Sequence, residues 1–143
     1  MTDYLSKYRN TKKTQPKVES SESVLTELSE QIFKEFKDKG LFSYVGTSHG
    51  HGDGFMIITL NLMSGNTNNQ YFYRLIEIEQ PVDQVYNVKI RSYQNPPTEW
   101  KEISSAEELE TEIIEIMGDP RFQVIVEMVS QMGKTIDTWN GEK

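Results

Sequence analysis

Residues 55–93 read FMIITLNLMSGNTNNQYFYRLIEIEQPVDQVYNVKIRSY, and this stretch decides the fold. Side chains in a strand alternate between faces, so residues two apart share one. Met56, Ile58, Leu60 and Leu62 then line one face of a first strand. Phe72, Ile76 and Ile78 line the same face of a second, and Tyr86, Val88 and Ile90 of a third. The turn-rich segment 64–69, SGNTNN, joins the first pair, and Pro81-Val82-Asp83 joins the next. Pairing about these turns sets Leu62 opposite Phe72, Ile58 opposite Ile76 and Ile78 opposite Tyr86. All even positions then agree on one face, and a slip by one residue would break that agreement. Arg74 is the exception among them. It is expected near a sheet margin, its stem buried and its guanidinium reaching a carboxylate.

The odd positions put Phe55, Ile57, Tyr71, Tyr73 and Leu75 beside Thr59, Asn61, Glu77 and Glu79. Either the N-terminal segment or a loop covers this half-apolar face, or it is an exposed surface for a partner or for self-association.

Helical stripes flank the strands. Leu25, Leu28, Ile32, Phe33 and Phe36 recur at helical spacing between about Ser23 and Lys39, with Ser21 and Ser23 as candidate caps and Gly40 as the stop. Leu41 to Val45 reads as a short edge strand, and Glu99 to Ile103 as a further strand with Trp100 at its end. Ser105 and Glu108 fit a capping box ahead of the stripe Leu109, Ile113, Ile116 and Met117. Asp119-Pro120 starts a last helix with Phe122, Ile125, Val129 and Met132 on one side. Val124, Val126 and Met128 widen its apolar surface, so it is either central to the core or buried against a second copy in a homodimer. The expected fold is α+β: an antiparallel meander of four or five strands, with one N-terminal and two C-terminal helices on one face.

One domain suits 143 residues. It is expected over 21–133, between an N-terminal arm (1–20) and a polar C-terminal tail (134–143). Residues 1–17 carry Lys7, Arg9, Lys12, Lys13 and Lys17 against Asp3, a net of +4, so residues 18–143 hold −11 and the chain −7. An acidic body disfavours nucleic acid except through those arm cations, and it suits a basic protein partner. The arm itself reads as a disordered tail or as a docking segment anchored by Tyr4, Leu5 and Tyr8. With no cysteine, disulfides, thiolate metal sites and cysteine nucleophiles are excluded. No apolar run approaches a membrane span and the N-terminus lacks a signal-like apolar core, so a cytoplasmic, membrane-free protein is expected.

Both histidines, His49 and His51, fall with Asp53 in the glycine-rich segment 47–54, TSHGHGDG. The spacing resembles the H-x-H-x-D part of the metallo-β-lactamase zinc motif. Gly54 stands where that motif has another histidine, and none follows downstream, so that family is excluded. A looser three-ligand site for Zn²⁺ or Ni²⁺ is the remaining functional reading of the loop; a mobile connection before a strand is the structural one. Gly133-Lys134-Thr135 resembles the end of a phosphate loop, but Met128 occupies the place of its leading glycine. Glu77 and Glu79 share a face but sit among charges, as on a solvated strand. No catalytic motif or cofactor fingerprint emerges. The expectation is a small non-enzymatic interaction module, such as an immunity or inhibitor protein or an accessory subunit. The alternative is a ligand- or metal-binding domain using loop 47–54.

Overall fold

The computed structural model describes residues 3–6, 20–49, 54–65 and 70–141, with 135–141 given by backbone course. It is an α+β fold. Helix α1 (Ser21–Phe36) and a 3-10 turn (Lys37–Lys39) lead into strands β1 (Leu41–His49), β2 (Phe55–Gly65), β3 (Gln70–Pro81), β4 (Val88–Ser92) and β5 (Lys101–Ile103). Helices α2 (Ala106–Gly118) and α3 (Pro120–Gly141) follow. The strands form one sheet in chain order, each antiparallel to its neighbour.

Local chemistry sets the helix ends. The Ser20 hydroxyl accepts the Ser23 N–H at 3.2 Å, so α1 is capped one residue before the first expected candidate. Ser21 is buried instead, with its hydroxyl on Gln80 of β3. Gly40 takes φ 73° and closes the 3-10 turn. At α2 the Ser105 hydroxyl accepts the Glu108 N–H at 3.2 Å, and the Glu108 carboxylate accepts the Ser104 N–H at 2.8 Å. Asp119 caps α3 by accepting the Arg121 N–H at 2.9 Å. That helix runs past Gly133 to Gly141, into the stretch read as a polar C-terminal tail.

The strands depart from the expected register throughout: Ile58 pairs with Ile78 and not Ile76, Leu62 with Tyr73 and not Phe72, and Ile78 with Ile90 and not Tyr86. Pairing runs Ile58↔Ile78 and Leu60↔Ile76, then Asn61↔Arg74 and Leu62↔Tyr73; Leu75 is left over in a bulge. An unpaired residue reverses which parity faces inward. Ile76 and Ile78 face the helices on one side of the bulge, and Leu75 and Tyr73 do so on the other; all four are buried. Phe72 therefore points outward, 56% exposed, where the even-frame reading placed it in the core. Arg74 is outward too, its Nη1 3.7 Å from the Glu77 carboxylate. In the third strand Ile90 pairs with Ile78, and Tyr86 precedes the strand.

All three helices lie on one side of the sheet. α1 packs on β1, α3 crosses β2 and β3, and α2 joins α1 to α3. The core they enclose includes Leu25 and Ile32 of α1, Leu109 and Ile113 of α2, and Ile125, Val126 and Val129 of α3. α3 can approach the sheet closely because Gly133 lacks a side chain: a Cβ there would stand 2.5 Å from both side-chain atoms of Ser64. The Ser64 hydroxyl donates to the Val129 carbonyl across the same contact. No helix among the described residues is long and apolar enough to cross a membrane.

Candidate functional site

Two surfaces stand out, one on each side of the sheet. On the helix-free side the cross-strand rows follow from the register. Phe42, Met63 and Phe72 form one row, and Tyr44, Asn61 and Arg74 the next. Gly46, Thr59, Glu77 and Arg91 form a third, and Ser48, Ile57, Glu79, Lys89 and Glu102 a fourth. The charged rows are internally matched. Arg91 reaches both Glu77 oxygens at 3.3 Å and lies 4.4 Å from the Trp100 ring, and Lys89 stands between Glu79 and Glu102. The first rows are different: Phe42, Tyr44 and Phe72 are all exposed. Phe33 of α1 stacks on Phe42 at 6.0 Å, so the aromatic surface wraps around the β1 edge. There it opens a groove of about 400 Å³ with Ser29, Glu30 and Lys34 on its walls.

β1 itself reads LFSYVGTSH, nine residues with no charge and no proline. Its register with β2 is unbroken from Leu41↔Ser64 to His49↔Met56. Edge strands are usually blunted by charge, proline or a bulge, since an open backbone edge templates pairing with another chain. This edge has none of the three, and among the described residues no other strand pairs with it. At the opposite edge β5 is only three residues long.

The second surface lies on the helix side, between β3, the loop after β4 and α3. It is a cleft of about 450 Å³ lined by Tyr71, Tyr73, Tyr93, Arg121, Val124 and Met128, with neighbours Gln94, Asn95 and Ile125. The Tyr73 hydroxyl accepts the Gln94 N–H at 2.8 Å, and the Tyr93 hydroxyl donates to the Ile116 carbonyl at 2.8 Å. The Arg121 guanidinium sits 4.2 Å from the centre of the Tyr93 ring. Burial pushes the Tyr93 hydroxyl up to about 12; Asp119 adds to the rise and Arg121 opposes it.

The residues singled out in the sequence are thus divided. Phe55 and Ile57 do face the helix-free side, at the far end of the sheet from Phe72. Leu75 and Tyr73 are core residues, and Tyr71 is on the helix side with them; the bulge moved all three. Tyr4 and Leu5 are exposed. Tyr8 and the arm cations Lys7, Arg9, Lys12 and Lys13 lie outside the described residues, as do His51 and Asp53. His49 ends β1 and is exposed. Among the described residues no cluster of three metal-ligating side chains occurs. Of the dimer stripe, Val124 and Met128 are exposed and rim the cleft, but Val126 is 3% exposed and belongs to the core, because it faces the sheet. The sequence reading missed Phe33, Phe42 and Tyr44 as surface aromatics, although the uncharged run 41–49 was a visible signal. It missed the cleft altogether, since its walls come from three distant segments.

No family model matches this chain, and neither a curated protein nor a solved structure does.

Proposed function

We propose that this protein is a non-catalytic binding module that takes up an extended segment of another protein along the β1 edge. The observation that carries the reading is a nine-residue edge, unpaired on its outer side among the described residues and without charge, proline or bulge, flanked by the exposed rings of Phe33, Phe42 and Tyr44. In strand addition, backbone hydrogen bonds give affinity and alternate side chains give specificity. Here the incoming alternate side chains would lie on the aromatic rows of the helix-free face and in the groove beside Phe33. The chain's net charge of −7 selects the partner's sign. A basic segment is attracted at long range, whereas a second copy brings the same charge and is repelled.

A photo-crosslinking side chain at position 42 tests this in the native host, with one at Ile114 as control; Ile114 is 71% exposed on α2. The expected product is an adduct with a basic, extended stretch of one other protein, formed at position 42 and not at 114. Introducing Phe42→Lys beside a crosslinker at Tyr44 should abolish the adduct while leaving the fold intact. An adduct with a second copy of this chain would overturn the choice of partner. Equal labelling at both positions, or none at 42, would overturn the edge itself.

A further inference from the structure

The cleft on the helix side has a lining unlike the rest of this acidic molecule. None of its nine lining residues is a carboxylate. Its polar groups are donors or amides. Arg121 offers a guanidinium that is ion-paired with Asp119 at 3.7 Å, a separation too long for a hydrogen bond. Tyr73 is 7% exposed, and its hydroxyl accepts from the Gln94 N–H. Among the described residues no acceptor takes the proton of that hydroxyl, which leaves a buried O–H donor on the cleft wall. The remaining lining is apolar. Val124 and Met128, four residues apart on one flank of α3, are 66% and 38% exposed beside the buried Ile125. Both lie on the exposed flank of α3, where they rim the cleft.

From this lining we infer that the cleft between α3, β3 and the loop after β4 binds a small monocarboxylate with an apolar body. The guanidinium fork matches a carboxylate in two parallel hydrogen bonds, and the Tyr73 O–H supplies a further donor. The apolar body lies against Val124, Ile125, Met128 and the Tyr71 ring, removing exposed hydrocarbon from water. A volume of about 450 Å³ is within the usual span for small-ligand sites, and a few polar groups in an apolar lining are their usual make-up. The Arg121 guanidinium is held ready by the Tyr93 ring beneath it. Tyr93 in turn is fixed at its backbone by the N–H to Leu75 carbonyl bond of 2.8 Å and at its tip by Ile116. The site does not depend on the β1 edge, which lies across the sheet.

The test is calorimetric titration of the full chain with octanoate and with octanamide, which has the same tail and no charge. Octanoate should bind and octanamide should bind roughly tenfold or more weakly, as expected when a charge-assisted hydrogen bond is lost. Arg121→Gln should remove that preference without unfolding the protein, since the side chain is half exposed. Tyr73→Phe keeps the ring and should weaken octanoate several-fold. Val124→Glu should weaken it further by placing an anion on the rim. Equal binding of acid and amide, no heat with octanoate at millimolar concentration, or full binding by Arg121→Gln would each overturn the proposal.

Discussion

Tyr93 stands at φ 68°, a left-handed backbone region that a bulky side chain rarely occupies. Such a conformation persists only where the surroundings fix it, and here both ends of the residue and its ring are engaged. The hydroxyl's environment makes a pH prediction. Its folded value is raised, to about 12, chiefly by burial, whereas unfolded tyrosines ionise near 10. The folded state therefore keeps this proton longer than the unfolded chain does. Its contribution to stability is whole below about pH 10 and is lost as pH rises through about 12. Denaturant melts across that window should show the decline in the wild type and a shallower one in Tyr93→Phe. The tyrosinate absorbance titration should also lose its last step in that variant; superposable curves would show that another tyrosine is responsible.

Leu75 and Arg74 make the second case at this scale. The segment 71–79, YFYRLIEIE, contains two alternations joined back to back: Tyr71, Tyr73 and Leu75 in one frame, Ile76 and Ile78 in the other. Adjacent Leu75 and Ile76 are both fully buried because the bulge turns both inward. Leu75→Ala should then cost about 2–5 kcal/mol, as for other buried leucines. Phe72→Ser, on the helix-free side, should change stability by no more than about 0.5 kcal/mol. Equal losses at the two positions in urea melts would mean that the inward frame has been assigned wrongly.

At the scale of elements, sequence patterns defined faces more reliably than pairings. Ile58, Leu60, Leu62, Ile76, Ile78, Val88 and Ile90 face the helices as their spacing requires. The partners of these residues shifted, since a bulge and the lengths of the turns are set by backbone geometry that alternation does not encode. Arg74 was the trace of the bulge: a cation in an apolar frame marked where that frame changes. The α2 capping box and the Asp119-Pro120 start were legible because one residue type performs each task. β1 was read too short because its second half, Gly46 to His49, is small and polar; the unbroken pairing with β2 carries it on. The cleft was illegible because Tyr73, Gln94 and Arg121 meet only through the tertiary fold.

Gly133 shows how far one element's position rests on one residue. Glycine inside a helix is about 1 kcal/mol worse than alanine, so propensity alone predicts that Gly133→Ala stabilises α3. Against this, the new methyl would sit 2.5 Å from Ser64 Cβ and 3.0 Å from the Gly65 backbone nitrogen, and the backbone cannot give way cheaply. Overpacking of this kind costs about 1–3 kcal/mol. The clash should win, leaving the variant less stable by up to about 2 kcal/mol in thermal or denaturant unfolding. Stabilisation would mean that α3 and β2 lie farther apart than described.

The whole molecule combines an uncharged edge strand with a net charge of −7. β1 has no gatekeeping residue of its own along nine positions, so protection against edge-to-edge pairing must come from elsewhere. The net charge of −7 is the available source, and it acts between whole molecules at any orientation. Lowering the pH removes this charge, since the sequence pI is about 4.9. Near that pH the repulsion vanishes while the backbone edge and the Phe33, Phe42 and Tyr44 rings are unchanged. Light scattering should therefore report a monomer at neutral pH and low salt, and concentration-dependent association as pH approaches 5. Ser48→Lys places one charge on the edge and changes the net charge by only one, and the fold should accept it because Ser48 is exposed and its cross-strand neighbour is Ile57. If the edge is the adhesive surface, this variant stays monomeric through the same pH range. If the variant associates as readily as the wild type, charge neutralisation has exposed some other surface, and β1 loses its claim as the place where another chain is received.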